Sequence, residues 1–108
     1  MKTSKSKFAS YFGAAILPGA PANSVAPTIT GTAQVGQTLT SATGTWSGSP
    51  TLTRQWRANG INIDGATSAT FVLTTAQLGK TITVSVAGIN AAGRLAIVSA
   101  ATAAVIAA

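Results

Sequence analysis

Residues 43–56 read Thr-Gly-Thr-Trp-Ser-Gly-Ser-Pro-Thr-Leu-Thr-Arg-Gln-Trp, and the predicted fold depends on this stretch. Trp46 lies among Gly, Ser and Pro residues that predict a turn, whereas Trp56 ends a run of Thr, Leu and Gln that predicts a strand. A tryptophan on a central strand of a small all-β domain usually fills the space between two sheets, because one indole buries roughly 150–250 Å². We therefore expect Trp56 to be a core residue.

Strand patterns recur on both sides of this stretch at intervals of roughly ten residues, the spacing expected of a β-sandwich. The clearest is residues 81–86, where alternation with hydroxyl residues places Ile82, Val84 and Val86 on one face. Gly88 is predicted to mark a bulge, because the apolar positions change phase between Val86 and Ile89. The predicted strands are 28–32, 37–42, 51–58, 61–64, 69–74, 81–89 and 95–105. The predicted core comprises Leu39, Leu52, Trp56, Ile61, Ile63, Phe71, Leu73, Ile82, Val84 and Val86.

Length and charge favour one domain with a short appendage. The chain has 108 residues, and only 7% of them are charged, against a usual share of about 25%. Three of the seven basic residues lie in the first seven positions, so the rest of the chain has four cations and the single acid Asp64, a net charge of +3. So few charges give little protection against edge-to-edge association, and we expect the domain to stand in an assembly.

The absence of several residue types excludes whole classes of function. With no His, no Cys and one acid, the chain cannot assemble an acid–base pair, a catalytic triad or a cluster of metal ligands. We expect a protein that is not an enzyme and that uses no cofactor, no metal and no disulfide. No stretch approaches the ~20 apolar residues that span a bilayer.

Residues 1–27 differ from the remainder and are interpreted as an N-terminal docking arm with a linker at 22–27. Large side chains follow the early lysines at a spacing that would gather them on one face of a short helix, and Pro18, Gly19 and Pro21 would end it. The predicted partner-binding residues are Lys2, Lys5, Lys7, Phe8, Tyr11, Phe12, Ile16 and Leu17.

A second interpretation of this segment is a secretory signal peptide. It has a basic start, an apolar stretch over residues 8–17 and Ala20-Pro21-Ala22 as an Ala-x-Ala cleavage site, which would make Asn23 the mature N-terminus. Ser10, Tyr11 and Gly13 interrupt the apolar stretch and disfavour this alternative.

The sequence also allows other partners to be considered. The lysines of the arm could neutralise phosphates or contact a membrane surface, but the domain has no basic face interleaved with aromatic residues. Trp46 could stack on a sugar beside loops near 46–50, 59–60 and 90–94, although we expect it to be structural. A weak contact with a host-surface glycan therefore remains an alternative, and nucleic acid is not the expected partner.

Several segments together resemble the bacterial immunoglobulin-like repeat. They are Pro-Thr-Ile-Thr-Gly-Thr-Ala-Gln-Val-Gly-Gln-Thr-Leu-Thr (27–40), Gly-Thr-Trp-Ser-Gly (44–48), Gln-Trp (55–56), Ile-Asp-Gly-Ala-Thr-Ser-Ala-Thr-Phe-Val-Leu-Thr (63–74) and Leu-Gly-Lys-Thr-Ile-Thr-Val (78–84). The resemblance covers about residues 27–105 and implies an all-β, immunoglobulin-like β-sandwich of about seven strands over residues 28–108. That family occurs as tandem modules in large bacterial surface adhesins and as single modules in tailed-phage virion proteins.

Two positions depart from the family pattern. Family members often have an aromatic residue two positions before the strand tryptophan, where this chain has Arg54; its head would either reach the rim or pair with Asp64. Before Leu78 the family often has Asp, and Gln77 stands there instead, so the cap of that turn would be neutral or absent.

The resemblance and the arm together predict a non-enzymatic phage virion protein. We expect a capsid decoration protein or a neck- or tail-associated protein, attached through the arm to a major capsid, neck or tail protein in a symmetric assembly. One copy of the module with an arm favours this over the alternative, a secreted or cell-surface bacterial module that serves adhesion or carbohydrate binding.

Overall fold

The computed structural model describes residues 19–108, which fold into nine β-strands and one 3-10 helix. The 3-10 helix spans Thr75–Gln77 and lies between β7 and β8. The strands are β1 (Ala22–Val25), β2 (Thr28–Thr30), β3 (Thr38–Ala42), β4 (Thr45–Ser47), β5 (Thr51–Ala58), β6 (Ile61–Asn62), β7 (Thr70–Val72), β8 (Ile82–Asn90) and β9 (Gly93–Val98).

The strands form three antiparallel sheets. A four-stranded sheet has the order β6-β5-β8-β9, a three-stranded sheet has the order β2-β3-β7, and β1 pairs with β4. The longest pairing joins β5 to β8 from Thr51↔Ile89 to Ala58↔Ile82. Buried side chains from the three- and four-stranded sheets share one core, so these two sheets pack face to face, an arrangement compatible with a β-sandwich.

The seven predicted strands correspond to β2, β3 and β5–β9, while two strands were not predicted. Residues 22–27 are not simply a linker, because 22–25 form β1, and Trp46 lies on β4 rather than in a turn. The last strand also ends at Val98 and not at 105. There the hydroxyls of Ser99 and Thr102 accept from the N–H groups of Val84 and Ile82, respectively, in place of backbone carbonyls. The N–H groups of Ser99 and Thr102 still donate to the Val84 and Ile82 carbonyls.

The core centres on Trp56, whose side chain is fully buried. Its indole Nε1–H donates to the Ser68 carbonyl at 2.8 Å, and its ring stacks on Phe71 of the facing sheet with centroids 5.8 Å apart. Of the predicted core residues, Phe71, Leu52 and Ile63 are half-buried. The fully buried members are Leu39, Leu73, Ile82, Val84 and Val86.

Ile61 was expected to face the core but is 72% exposed. It lies on the two-residue edge strand β6, beside Ala76 and Lys80 at the rim of a surface depression. An edge strand this short has no facing strand to cover its side chain.

Gly88 does not mark a bulge. The pairing is continuous through this residue, with Leu52 on one side and Leu95 on the other. The inward series of Val84 and Val86 continues to Gly88, whose missing side chain leaves room for the indole of Trp46. A Cβ at position 88 would lie 2.8 Å from Trp46 Cζ3.

Arg54 crosses the space between the two sheets. Its guanidinium Nε donates to Ser41 Oγ on β3 at 2.7 Å, and Ser41 Oγ in turn donates to the Ala69 carbonyl. Its partner is the buried Ser41 hydroxyl rather than Asp64, so the expected ion pair does not form, while the side chain as a whole is half-buried.

Gln77 makes the neutral cap that was one of its two expected outcomes. Its Oε1 accepts from the Thr74 N–H and from the Thr74 hydroxyl, both at 2.9 Å, while Thr74 Oγ1 accepts from the Ala76 N–H. Gln77 is buried, so a neutral amide caps this turn without burying a charge.

Replacing Trp56 with alanine should lower the free energy of unfolding by roughly 3–5 kcal/mol, because it leaves a cavity between the sheets and removes the bond to Ser68. Urea denaturation followed by circular dichroism measures this change. Val72→Ala, at a position that is 54% exposed, is the matched control and should change stability by no more than about 0.5 kcal/mol. A Trp56→Ala variant with an unchanged unfolding midpoint would contradict this account of the core.

Gly88→Ala should destabilise the domain by roughly 1–3 kcal/mol, because the new methyl group overlaps the rigid indole of Trp46 and approaches Pro50. The same substitution made in a Trp46→Ala background should cost much less, since the overlapping ring is gone. A double-mutant cycle by thermal denaturation measures the difference. An equal cost in both backgrounds would show that the indole is not the reason for glycine here.

Candidate attachment site

The predicted partner-binding residues of the arm, 2–17, lie outside the described residues. The first described residues, Gly19 and Ala20, lie at one end of the domain, where the side chain of Asn90 holds them. Asn90 Nδ2 donates to the Gly19 carbonyl and to the Gly48 carbonyl, each at 2.8 Å. We call Gly19, Gly48 and Asn90 the entry site, because the chain enters the fold there.

The carbonyl oxygen of the Asn90 side chain stabilises a turn. Asn90 Oδ1 accepts from the N–H groups of Ala92 at 2.8 Å and Gly93 at 3.1 Å, which closes the connection between β8 and β9. One side chain therefore joins the N-terminal segment, the β4–β5 turn and the β8–β9 turn.

Gly48 is required by this contact. Its φ is +89°, a conformation that favours glycine, and a Cβ there would lie 2.7 Å from the Gly19 carbonyl oxygen. The approach of the N-terminal segment to the β4–β5 turn is thus too close for any side chain at position 48.

The chain remains held beyond the entry site. Pro21 is buried, β1 pairs with β4, and Asn23 Nδ2 donates to the carbonyls of Val25 and Thr45 at 2.9 and 3.2 Å. Pro27 is fully buried before β2 begins. The described part of the chain is therefore held to the domain from Gly19 onward.

The loops considered for sugar binding do not meet in one place. Residues 46–50 and 90–94 share the entry-site end, where Asn90 bonds to Gly48, but residues 59–60 lie at the opposite end of β5. The six-membered ring of the Trp46 indole lies against Gly88, and its Nε1–H donates to the Thr43 carbonyl at 2.7 Å. These contacts support the structural interpretation of Trp46.

A shallow depression of about 230 Å³ lies at the end opposite the entry site. Two of its amide oxygens are already engaged: Asn59 Oδ1 accepts from the Thr81 N–H, and the Gln77 amide oxygen caps the 3-10 helix. No acid, histidine or thiol lines it, so the depression offers apolar contact rather than chemistry. It is lined by Ala58, Asn59, Ile61, Asn62, Ile63, Ala76, Gln77 and Lys80.

The four cations of residues 19–108 have different surroundings. Arg54 bonds to Ser41 between the sheets, and Arg57 Nε donates to Asn62 Oδ1 at 2.9 Å on the outer side of β5. Lys80 follows the 3-10 helix, and Arg94 lies on β9. Over the same residues there is no group of three His, Cys, Asp or Glu side chains that could hold a metal ion.

Among the described residues, none belongs to a helix that is long and apolar enough to cross a membrane. Comparison of the chain with protein-family models, with curated proteins and with solved structures finds no match.

Sequence reasoning missed Asn90. The pattern Asn-Ala-Ala-Gly at 90–93 is typical of a turn closed by an asparagine side chain, so the β8–β9 connection could have been predicted. Its bond to Gly19 could not, because the two residues are 71 positions apart.

Asn90→Ala should lower the free energy of unfolding by roughly 1–3 kcal/mol, because it leaves two carbonyls and two N–H groups without their partner. The control is Asn62→Ala, which removes one exposed bond to Arg57 and should cost no more than about 0.5 kcal/mol. Amide hydrogen exchange should show faster exchange at Gly93 in the Asn90 variant alone. Equal stability losses in the two variants would mean that Asn90 does not hold the entry site together.

Proposed function

We propose that this chain is a non-enzymatic virion accessory protein of a tailed phage, with an immunoglobulin-like domain displayed on the particle. Residues 1–18 attach the domain to a capsid, neck or tail protein. The single observation that carries the proposal is the entry site, which holds Gly19, the residue that follows a segment rich in lysine and aromatic residues.

Strand order supports the immunoglobulin-like assignment. If β2, β3, β5, β6, β7, β8 and β9 are numbered one to seven, the sheets have the orders 1-2-5 and 4-3-6-7. In immunoglobulin-like sandwiches the first, second and fifth strands likewise share one sheet, and the third, sixth and seventh share the other. Trp56 on the third of these strands occupies the position of the buried tryptophan in that architecture.

The composition of residues 1–18 supports attachment. Phe8, Tyr11 and Phe12, followed by Ile16 and Leu17, are numerous for a segment with no partner, and burying each is worth about 1.5–3 kcal/mol before ordering costs. Repetition over a symmetric particle would make a modest affinity at each site sufficient. The three lysines would act on orientation and on the rate of encounter.

The alternative, a secreted adhesion module with a cleaved signal peptide, has weaker support. Cleavage after Ala22 would remove Gly19, which Asn90 and Gly48 contact, and the first residue pair of β1, Ala22↔Ser47. Cleavage would thus cut into the folded domain. Sequencing the mature N-terminus separates the two functions, since Asn23 indicates secretion and Met1 or Lys2 indicates the retained arm.

Deleting residues 1–18 should leave a folded domain that no longer joins the particle. The deletion stops before Gly19 so that the entry site and β1 stay intact. Mass spectrometry of purified particles should detect the full chain, and occupancy in reconstitution with particles that lack it should fall at least about tenfold for the deletion variant.

Two full-length variants sharpen this experiment. Replacing Phe8, Tyr11 and Phe12 with serine should abolish attachment, whereas replacing Lys2, Lys5 and Lys7 with serine should mainly slow it and reduce its salt dependence. Full occupancy by the deletion variant would place attachment on the sandwich itself, and absence of the full chain from particles would end the virion proposal.

A further inference from the structure

Within residues 19–108, strand β9 is an edge strand without a protecting feature. It is the last strand of the four-stranded sheet, and no other described segment pairs with its outer side. Its pairing with β8 runs from Asn90↔Gly93 to Ser85↔Val98 without a shift, it has no proline, and Arg94 is its only charge. Proteins ordinarily protect such edges with charges, prolines or bulges, so an edge left open in this way is suited to a partner strand.

The register shows which backbone groups the edge offers. In an antiparallel ladder, hydrogen-bonded pairs alternate with pairs whose N–H and C=O groups point away. Ser99 N–H bonds to the Val84 carbonyl, so 97↔86 and 95↔88 are the bonded pairs. The N–H and C=O groups of Arg94, Ala96 and Val98 therefore point outward, and the side chains of these same residues are exposed.

We propose that this edge pairs with β9 of a second copy of the chain. The two strands run antiparallel about a two-fold axis at Ala96, so that the two four-stranded sheets become one continuous sheet. Arg94 then opposes Val98 of the second copy, Ala96 opposes its own equivalent, and Val98 opposes Arg94. These three pairs exchange six backbone hydrogen bonds, because all three residues present outward groups.

The side chains suit this register. Pairing at Ala96 keeps the two Arg94 residues apart, about 14 Å along the strands, and lays each arginine stem over a Val98 that is 46% exposed. The methyl groups of Ala96 meet at the axis without crowding. On the inner face, the half-buried Leu95 and Ile97 of one copy lie opposite Ile97 and Leu95 of the other, which covers apolar surface on both.

The low charge of the domain permits this contact between identical molecules. Residues 19–108 have a net charge of +3, and Arg94 is the one cation on the pairing strand. A six-residue edge is small for a protein interface, so the dimer should be weak and dependent on concentration. Such a contact becomes effective where many copies stand side by side. This strand pairing does not depend on residues 1–18 and can be tested in solution without particles.

Charge substitutions at position 98 test the proposed register, because lysine and glutamate there should change dimerisation in opposite directions. In the full chain, Val98→Lys places lysine opposite Arg94 twice about the axis and should weaken dimerisation by about tenfold or more. Val98→Glu places a carboxylate there and should strengthen it. Val72→Lys and Val72→Glu are the matched controls, since Val72 is similarly exposed, at 54%, but lies on the other sheet. Sedimentation velocity over a range of concentrations measures the four equilibria, and circular dichroism checks the fold.

Single cysteine substitutions test which residues of the two copies lie close together in this register. The chain has no cysteine of its own that would interfere. With the shortest bifunctional thiol reagent, Ala96→Cys should cross-link to itself, because opposed Cβ atoms lie about 5.5 Å apart. Arg94→Cys and Val98→Cys should each fail alone but cross-link when mixed. Val72→Cys should not react at the same concentration.

Several results would overturn the proposal. These are a chain that stays monomeric at millimolar concentration, equal effects of lysine and glutamate at position 98, or a self-cross-link that is strongest at position 94, 98 or 72. Loss of the dimer on deleting residues 1–18, with Val98→Lys without effect, would show that the N-terminal segment mediates association instead.

Discussion

The burial of Trp56 between two sheets is the interaction on which the rest of the domain depends. Its backbone bonds to Ala66 and Ile63, its indole N–H bonds to Ser68, and its ring stacks on Phe71 of the facing sheet. Trp56 thus links its own four-stranded sheet to the three-stranded sheet and to residues 63–68, which connect the two sheets. Because the chain has no cysteine, no covalent link supplements this packing.

Inside the domain, buried polar side chains bond to partners that are themselves neutral. The Arg54–Ser41 bond and the Gln77–Thr74 cap each satisfy buried polar groups, and Gln55 Nε2 donates to the Ile63 carbonyl. Across residues 19–108, no buried side-chain nitrogen or oxygen lacks a partner. The interior is therefore satisfied while the surface carries few charges, which leaves strand edges open to association.

The entry site and the β9 edge lie next to each other but serve different contacts. Asn90 belongs to both regions, since it holds Gly19 and also shapes the turn from which β9 begins. In an antiparallel pair of β9 strands, the two entry sites would lie at opposite ends of the shared edge. The proposed attachment and the proposed strand pairing would then use different parts of each copy.

The sequence by itself determined the all-β class, most strand positions, the buried place of Trp56 and the absence of His and Cys. Those features follow from composition and from alternation with a period of two, which neighbouring residues express locally. The tertiary structure alone decided that 22–25 forms a strand, that Gly88 makes room for Trp46, that Arg54 reaches Ser41 and that Asn90 holds Gly19. Each of these features is a contact between residues that are distant in the chain. A local sequence pattern cannot predict such a contact, because it depends on how the whole domain packs.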